Sequence, residues 1–175
     1  MKRRTALRQL ALLSAGATLL SRCSPGDASA GPSLQHLKLS ASEYQLLKDV
    51  AATILPGTSA VPGAALLNSQ DFVLIMIDDC VSPEERDLFM KGLTEFDSQC
   101  RQTAGKSFTA CDRTQRLELI RNFDTGSGRE TPAGKFYHTI KNYTLQSFTT
   151  SQAYLEKIAG WKLVPGPVFR GCVPA

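Results

Sequence analysis

The side chains best suited to chemistry in this chain are its cysteines and histidines, which bind metals or haem and act as nucleophiles or bases. The chain has five cysteines and two histidines, His36 and His138. Their spacing forms no C-x-x-C-H haem motif and no close Cys/His set for zinc or an iron–sulfur cluster. His138 falls in a helical pattern, which favours a surface or packed histidine. We therefore predict no metal site and no haem site.

Acidic pairs and glycine-rich loops are the other patterns that could support catalysis or cofactor binding. Asp78 and Asp79 are adjacent, and adjacent helical positions do not face each other, so the sequence predicts a solvated helix end here. Gly126 and Gly128 are followed by Thr131 and not by the third glycine of a dinucleotide-binding loop. A G-x-S-x-G nucleophile elbow is also absent from the sequence. We predict no catalytic residue and no cofactor-binding residue in this chain.

Four of the cysteines lie beyond residue 30 and are candidates for disulfide bonds. In an oxidising compartment, four cysteines allow three pairings. Cys100 and Cys111 flank a predicted turn, which favours an internal bridge between them. The alternative is that the thiols stay free and buried. The four candidates are Cys80, Cys100, Cys111 and Cys172.

The first thirty residues have the pattern of an export signal. A basic start precedes an apolar stretch over residues 10–20, which is too short to span a bilayer because spanning takes about 20 helical residues. Arg3 and Arg4, followed by Leu7, resemble the twin-arginine motif, which predicts export of a folded protein to the periplasm. The alternative is an ordinary secretory signal.

The end of this leader carries two possible processing positions. Ala28 and Ala30 form an A-x-A site, which predicts cleavage after Ala30. Cys23 is the alternative, as a lipidation site, although Arg22 stands where a small residue is expected. The predicted mature chain therefore begins at residue 31.

The net charge of the chain comes from its leader. The whole chain has a formal net charge of +4, from 20 Lys and Arg against 16 Asp and Glu. Residues 1–30 contain five basic residues and one acidic residue, so 15 of each remain in residues 31–175, a net charge of zero. We predict no nucleic-acid partner, because no basic cluster remains to neutralise a row of phosphates.

The mature chain is predicted to be all-α, a small irregular domain of about five to six helices over residues 31–160. Apolar residues recur at helical spacing, and Ser or Thr caps mark several starts. Residues 31–39 have the composition of an unanchored lead-in, and residues 56–68 that of a loop. Residues 71–78 form an apolar helix that is either central in the core or turned on one side to a partner. The predicted helices begin near Ser40 or Ser42, Asp71, Pro83, Asp112, Pro132 and Ser151.

Residues 161–175 form an extended, Pro/Gly-rich C-terminal tail in this prediction. Its prolines exclude a helix, and its apolar side chains are expected to be buried against a protein surface. The tail could fold back over its own helices, but we favour contact with another subunit. The candidate contact residues are Trp161, Pro165, Phe169 and Cys172.

Several short segments in chain order resemble one known family. The first helix ends in A-A-T-I-L-P at residues 51–56, and V-P-G follows at 61–63. D-C at 79–80 precedes P-E at 83–84, and the chain ends with F-T-T-S at 148–151, P-G-P at 165–167 and G-C-V-P at 171–174. This order resembles the gluconate 2-dehydrogenase subunit 3 family over nearly the whole chain.

The resemblance implies a non-catalytic small subunit of a periplasmic flavin-dependent dehydrogenase that acts on a sugar or sugar acid. It implies a GMC-type large subunit that binds FAD and, as a further partner, a multihaem cytochrome c that associates the complex with the membrane. The small subunit would carry the export leader for the large subunit and stabilise it. The alternative is a stand-alone periplasmic helical binding or structural protein.

Overall fold

The computed structural model describes residues 31–125 and 127–162, and this part of the chain is helical without strands, which confirms the all-α prediction. Two short 3-10 turns, Phe108–Ala110 and Ser127–Glu130, precede the fifth and sixth α-helices. The seven α-helices of the described residues are α1 (Ala41–Ile54), α2 (Ala64–Leu67), α3 (Ser69–Cys80), α4 (Pro83–Ala104), α5 (Arg113–Thr125), α6 (Pro132–Thr149) and α7 (Gln152–Lys157).

Side-chain caps start the helices at the predicted residues. Ser40 caps α1 and Ser82 caps α4, and in both the third helical residue, Glu43 or Glu85, completes a capping box. These reciprocal hydrogen bonds satisfy backbone N–H groups that have no partner inside the helix. Gly105 ends α4 with a φ of 72°. The predicted caps Asp112, Thr131 and Ser151 also accept backbone N–H hydrogen bonds, as the sequence indicated.

Helix α2 is the element that the sequence did not predict. It is a single turn of four residues inside the segment 56–68 that was expected to be a loop. Asn68 follows it in the left-handed region, with a φ of 49°, and the chain then enters α3 directly. Asparagine tolerates this conformation better than most residues. One turn is too short to produce a helical periodicity, so the pattern of the sequence could not reveal it.

Helix α6 occupies the centre of the described domain, where it packs against all six other α-helices. Its closest neighbour is α4, and Gly92 of α4 makes that approach possible. A Cβ atom at Gly92 would collide with the carbonyl oxygen of Pro132 and would lie 2.7 Å from the Cβ atom of Phe136. The glycine therefore sets the separation of the two helices.

A cluster of aromatic rings fills the space between α4, α5, α6 and the first 3-10 turn. The ring of Phe96 lies 5.5 Å from Phe108, 4.7 Å from Phe123 and 5.4 Å from Phe136, measured between ring centroids. Phe96 is completely buried, and large aromatic side chains contribute strongly to the stability of a core. The cluster joins segments that are distant in sequence.

The apolar helix α3 is buried on one side and partly exposed on the other. Val73, Leu74 and Ile77 are buried in the core, so the helix is a core element. Ile75 is 42% exposed, and Phe72 is only partly buried, so its opposite side is not covered by the described residues.

Residues 31–39, which we call the strap, are anchored to the end of α3, so the prediction of an unanchored lead-in is wrong. Asp78 is 2% exposed, and its carboxylate accepts hydrogen bonds from three consecutive backbone N–H groups. Its Oδ2 accepts from Gln35 at 2.6 Å, and its Oδ1 accepts from His36 at 2.9 Å and Leu37 at 2.7 Å. The prediction of a solvated acidic pair is therefore wrong for Asp78 and holds only for the exposed Asp79.

Gly92→Ala tests whether the close approach of α4 and α6 is needed. We expect it to lower the free energy of unfolding by about 1–3 kcal/mol, because the new methyl group forces two backbones apart. Gly128→Ala is the matched control, since the nearest atom to its new Cβ would be 3.7 Å away. Urea denaturation measures both. Equal stability of the two variants would show that α4 and α6 can separate freely.

The pH dependence of stability tests the Asp78 anchor. Burial opposes ionisation of this carboxyl, but the hydrogen bonds from Gln35, Leu37 and His36 outweigh it and lower the pKa below the ordinary value of 3.8. The anchor is therefore fully formed above that value, and its stabilisation is lost as the pH falls below it. In thermal melts between pH 6 and 3, we expect Asp78→Asn to remove part of the wild-type acid destabilisation and Asp79→Asn to leave it intact. Identical curves for all three proteins would contradict the anchor.

Candidate partner-docking site

The residues singled out from the sequence do not converge on one site. Cys80 is exposed at the end of α3, whereas Cys100 and Cys111 are buried, and none of these three forms a disulfide in the described part of the chain. Trp161 is 49% exposed, close to the end of the described residues. The remaining predicted positions lie outside the described residues: Arg3, Arg4, Leu7, Cys23, Ala28, Ala30, Pro165, Phe169 and Cys172.

The two buried cysteines belong to the same hydrophobic core. Burial, together with the nearby Asp97 and Cys111, raises the pKa of Cys100 to about 12. The Cys111 thiol donates a hydrogen bond to the backbone oxygen of Ser107, with 3.4 Å between the two heavy atoms. A thiol with so high a pKa is a poor nucleophile, because the reactive species is the thiolate. The bridge between Cys100 and Cys111 stays a prediction.

His36, Asp78 and Asp79 form a group in which one ligand atom of each residue lies within 4.8 Å of the others. The oxygens of Asp78 are, however, already engaged by the three strap N–H groups. The Nδ1 atom of His36 lies 3.8 Å from Asp78 Oδ1, beyond hydrogen-bond distance. This group is accounted for by the anchoring of the strap, and we assign no metal to it.

A concave surface with apolar side chains in its floor lies between α4 and α6, and we call it the α4–α6 groove. It has a volume of about 470 Å³. Apolar side chains from α3, α4, α6 and the α3–α4 connection form its floor, and charged and amide side chains surround them. The apolar lining residues are Ile77, Val81, Leu88, Phe89, Phe136 and Tyr143.

Three charged side chains of the groove are used in structural contacts. Glu85 accepts the backbone N–H of Ser82 in the capping box, at 3.1 Å. Glu130 pairs with Lys135 at 3.4 Å, and this pair is solvent-exposed. Exposed pairs contribute little to stability, but they give the rim a mixed charge. Both carboxylates already have a partner, so neither is free to act as a base. The groove is therefore better suited to binding the surface of another protein.

His138 forms part of the same wall, and it is packed, as the sequence favoured. Its Nε2 atom is shielded from solvent and has no hydrogen-bond partner among the described residues. Burial lowers the pKa of His138, and the positive charge of Arg129 lowers it further. The imidazole is therefore neutral at pH 7, and this wall adds no positive charge to the groove.

Contacts behind the groove fix the position of α6. Lys141 of α6 pairs with Asp124 of α5 at 2.5 Å, and both side chains are about one-third exposed. Asp124 also accepts a hydrogen bond from the hydroxyl of Tyr137, whose pKa is raised by burial and by this carboxylate. The wall of the groove is thus held from its rear side and is formed before any partner binds.

Leu88 is the groove residue best placed to meet a partner. It is 37% exposed, although it lies beside the buried Phe89 in the floor. The other exposed large apolar side chains are distributed over α2, α3, α6 and the C-terminal end of the described residues, and none of them lines the groove: Leu66, Ile75, Leu145, Ile158 and Trp161. Single exposed apolar residues are common, whereas an apolar concave surface with a polar rim is typical of a binding site.

Sequence reasoning did not identify this site because its lining comes from two distant stretches of the chain, residues 77–89 and 129–143. Val81 and Leu88 are near in the chain, but Phe136 and Tyr143 follow about fifty residues later. Periodicity assigns Phe136 and Tyr143 to the inward stripe of a helix without indicating which neighbour they meet. The sequence indicated only that α4 and α6 are both capped, amphipathic helices.

In the described residues, no helix is both long enough and apolar enough to cross a membrane. This finding concerns the helices of residues 31–125 and 127–162 alone.

Comparisons with known proteins identify the family. No curated protein and no solved structure matches the chain significantly. A family model described as gluconate 2-dehydrogenase subunit 3 matches residues 41–166, which include the seven α-helices of the described residues and the whole α4–α6 groove. The match covers well over half of the chain. The chain therefore belongs to the gluconate 2-dehydrogenase subunit 3 family.

Proposed function

We propose that this chain is a non-catalytic accessory subunit of a periplasmic flavin-dependent dehydrogenase complex that oxidises a sugar or sugar acid. The observation that carries the proposal is the family match over residues 41–166, since the family is one of dehydrogenase subunits. The groove supports it, because its carboxylates are engaged in structural contacts while its floor is apolar. In this proposal FAD is bound by the large subunit, and this chain holds no cofactor.

We assign the α4–α6 groove to the large, GMC-type subunit of the same complex. An apolar side chain or helix of that subunit would bury Leu88 and the surrounding floor, and removing apolar surface from water favours association. The mixed charges of Glu130 and Lys135 at the rim would orient the partner, because charge patterns contribute more to specificity than to affinity. The large subunit would be stabilised in return, since any ligand that binds only the folded state stabilises it.

The leader is the basis for the second part of the proposed role, which is export of the complex. Arg3 and Arg4 would direct the folded complex through the twin-arginine pathway, so that the large subunit crosses the membrane with FAD already bound. A chain without a cofactor site of its own has little need of a route for folded proteins. The leader therefore serves the flavin-bearing partner.

The tail is assigned to contacts within the complex. Pro165 and Phe169 would lie against the large subunit, and Cys172 would form a disulfide with it in the oxidising periplasm. A multihaem cytochrome c would accept the electrons and provide the membrane association. This assignment makes no use of Cys100 and Cys111, which are buried free thiols in the described structure.

Co-purification with the large subunit tests the groove. Leu88→Glu places a charge on the apolar floor, and we expect it to weaken binding of the yellow large subunit by roughly tenfold or more, as loss of an interface anchor does. Leu66→Glu is the matched control, because Leu66 is 77% exposed on α2 and does not line the groove. The measurement is flavin absorbance per mole of tagged chain after affinity purification.

Three outcomes would contradict parts of this proposal. Recovery of the wild-type chain alone as a stable monomer would favour the stand-alone helical protein. Loss of flavin with Leu66→Glu and not with Leu88→Glu would move the interface to α2. A non-reducing gel without a high-mass band that contains Cys172 would remove the disulfide and leave the rest of the proposal intact.

Exchange of both leader arginines for lysine tests the export role. Arg3→Lys with Arg4→Lys keeps the charge of the leader and removes the guanidinium groups, so we expect the large subunit to remain in the cytoplasm. Arg8→Lys, outside the pair, is the control and should not affect export. The measurement is flavin-dependent dehydrogenase activity in the periplasmic and cytoplasmic fractions. Normal export of the large subunit by the double variant would contradict a twin-arginine role.

A further inference from the structure

Two thiols that the proposed function does not use lie where α4 meets the first 3-10 turn. Cys100, near the C-terminal end of α4, is completely buried, and Cys111, directly after the turn, is 6% exposed. Both belong to the same hydrophobic cluster. Oxidation can join two cysteines only if their Cβ atoms can come within about 4 Å of each other, so the packing around them decides whether a bond can form.

The turn packs against α4 in a register that brings the two cysteines together. The ring of Phe108 lies 5.5 Å from that of Phe96, between centroids, and the Phe108 N–H donates to Asp97 Oδ1 at 3.4 Å. Cys100 follows Phe96 by four residues, so both lie on one face of α4. Cys111 follows Phe108 by three residues, and its N–H donates to the Phe108 carbonyl at 3.1 Å, the 3-10 spacing that places side chains one above the other. Beyond the aromatic contact the cysteines therefore share one side, and Cys111 is close enough to contribute to the raised pKa of Cys100.

Arg116 of α5 fixes the turn in this register. Its guanidinium donates to the carbonyl oxygens of Phe108 at 3.2 Å, Thr109 at 2.6 Å and Cys111 at 3.0 Å. The same group pairs with Asp49 of α1 at 3.1 Å. Hydrogen bonds from a charged donor are stronger than neutral ones, so the clamp holds Cys111 in a defined position beside α4.

The two thiols differ in their access to reagents. Cys111 lines a surface concavity of about 510 Å³ between the end of α1 and the start of α5, together with Pro56, Gly57 and Leu117. Cys100 has no exposed surface. A dissolved oxidant therefore reaches the sulfur of Cys111 first.

We propose that Cys100 and Cys111 form a disulfide bond in an oxidising compartment, with Cys111 as the thiol that meets the oxidant and Cys100 as the thiol that completes the bond. The inference rests on the export part of the proposed function, which supplies that compartment. It goes beyond the proposed function in assigning a covalent modification to this chain alone.

The oxidant is itself a disulfide, that of a thiol–disulfide oxidoreductase. The thiolate of Cys111 attacks one sulfur of this disulfide to form a mixed disulfide, and the other sulfur leaves as a thiolate. The sulfur of Cys100 then attacks Cys111 and displaces the sulfur of the oxidant that remains. Two electrons and two protons pass from the chain to the oxidant, which ends as two thiols.

The test oxidises the folded, full-length chain in vitro with glutathione disulfide, after purification in the reduced state. The product is denatured, alkylated and digested with trypsin, which cuts after Lys91, Arg101, Lys106 and Arg113. The two cysteines then lie in separate peptides, residues 92–101 and 107–113, so mass spectrometry detects the bond as a linked pair.

We expect the linked pair in the wild type and in Cys80→Ala, the matched control that removes an exposed thiol outside the pair. Oxidation should raise the melting temperature of both proteins by about 5–10 °C, because the bond restricts the unfolded chain. In Cys100→Ala, the oxidised chain should keep its reduced melting temperature.

Single-cysteine variants test the order of reaction. Cys100→Ala keeps the accessible thiol, and we expect it to accumulate a mixed disulfide between Cys111 and glutathione. Cys111→Ala keeps the buried thiol, and we expect adduct formation at Cys100 to be roughly tenfold slower or more, because a buried thiol reacts only after local opening.

Two results would overturn the inference. One is separate alkylation of both peptides, with no linked pair, in the oxidised wild type. The other is faster adduct formation at Cys100 in Cys111→Ala than at Cys111 in Cys100→Ala. Oxidation in vitro needs neither export nor a partner, so its outcome is independent of flavin co-purification, which tests the proposed function.

Discussion

The close packing of α4 on α6 is the constraint on which the rest of the structure depends. Gly92 provides it, since a side chain there would meet the Pro132 carbonyl and the Phe136 side chain. The aromatic cluster around Phe96 fills one side of this contact, and the α4–α6 groove opens between the same two helices. Helix α6 contacts the six other α-helices of the described residues, so its placement positions both the core and the candidate docking surface.

A buried charge performs a second structural task at the end of α3. Asp78 is ionised because three N–H groups replace the water that it loses, and the same groups fix the strap. Ionisable groups in a family of dehydrogenase subunits invite a catalytic interpretation, but here the carboxylate holds backbone in place. Glu85 and Glu130 of the groove are likewise used in capping and ion pairing.

Local signals in the sequence predicted most of the fold, and distant contacts account for what it missed. The caps at Ser40, Ser82 and Thr131 depend on residues three positions away, so they can be read directly. The anchoring of the strap joins residues more than forty positions apart, and no local pattern records it. The groove was also missed, because two distant stretches of the chain build it. Recognition of the family came from short segments in order, and the family match confirmed it.

The measurement that tests the account most directly is hydrogen exchange of this chain alone and in complex with the flavin-bearing large subunit. The account predicts that complex formation protects amides around Val81–Phe89 of the groove and around Phe136–Tyr143 of α6, while α2 exchanges as before. Both regions line the same groove, so they should be protected together. Protection confined to other helices, or no change in exchange anywhere in residues 31–162, would contradict a role of the groove in binding the large subunit.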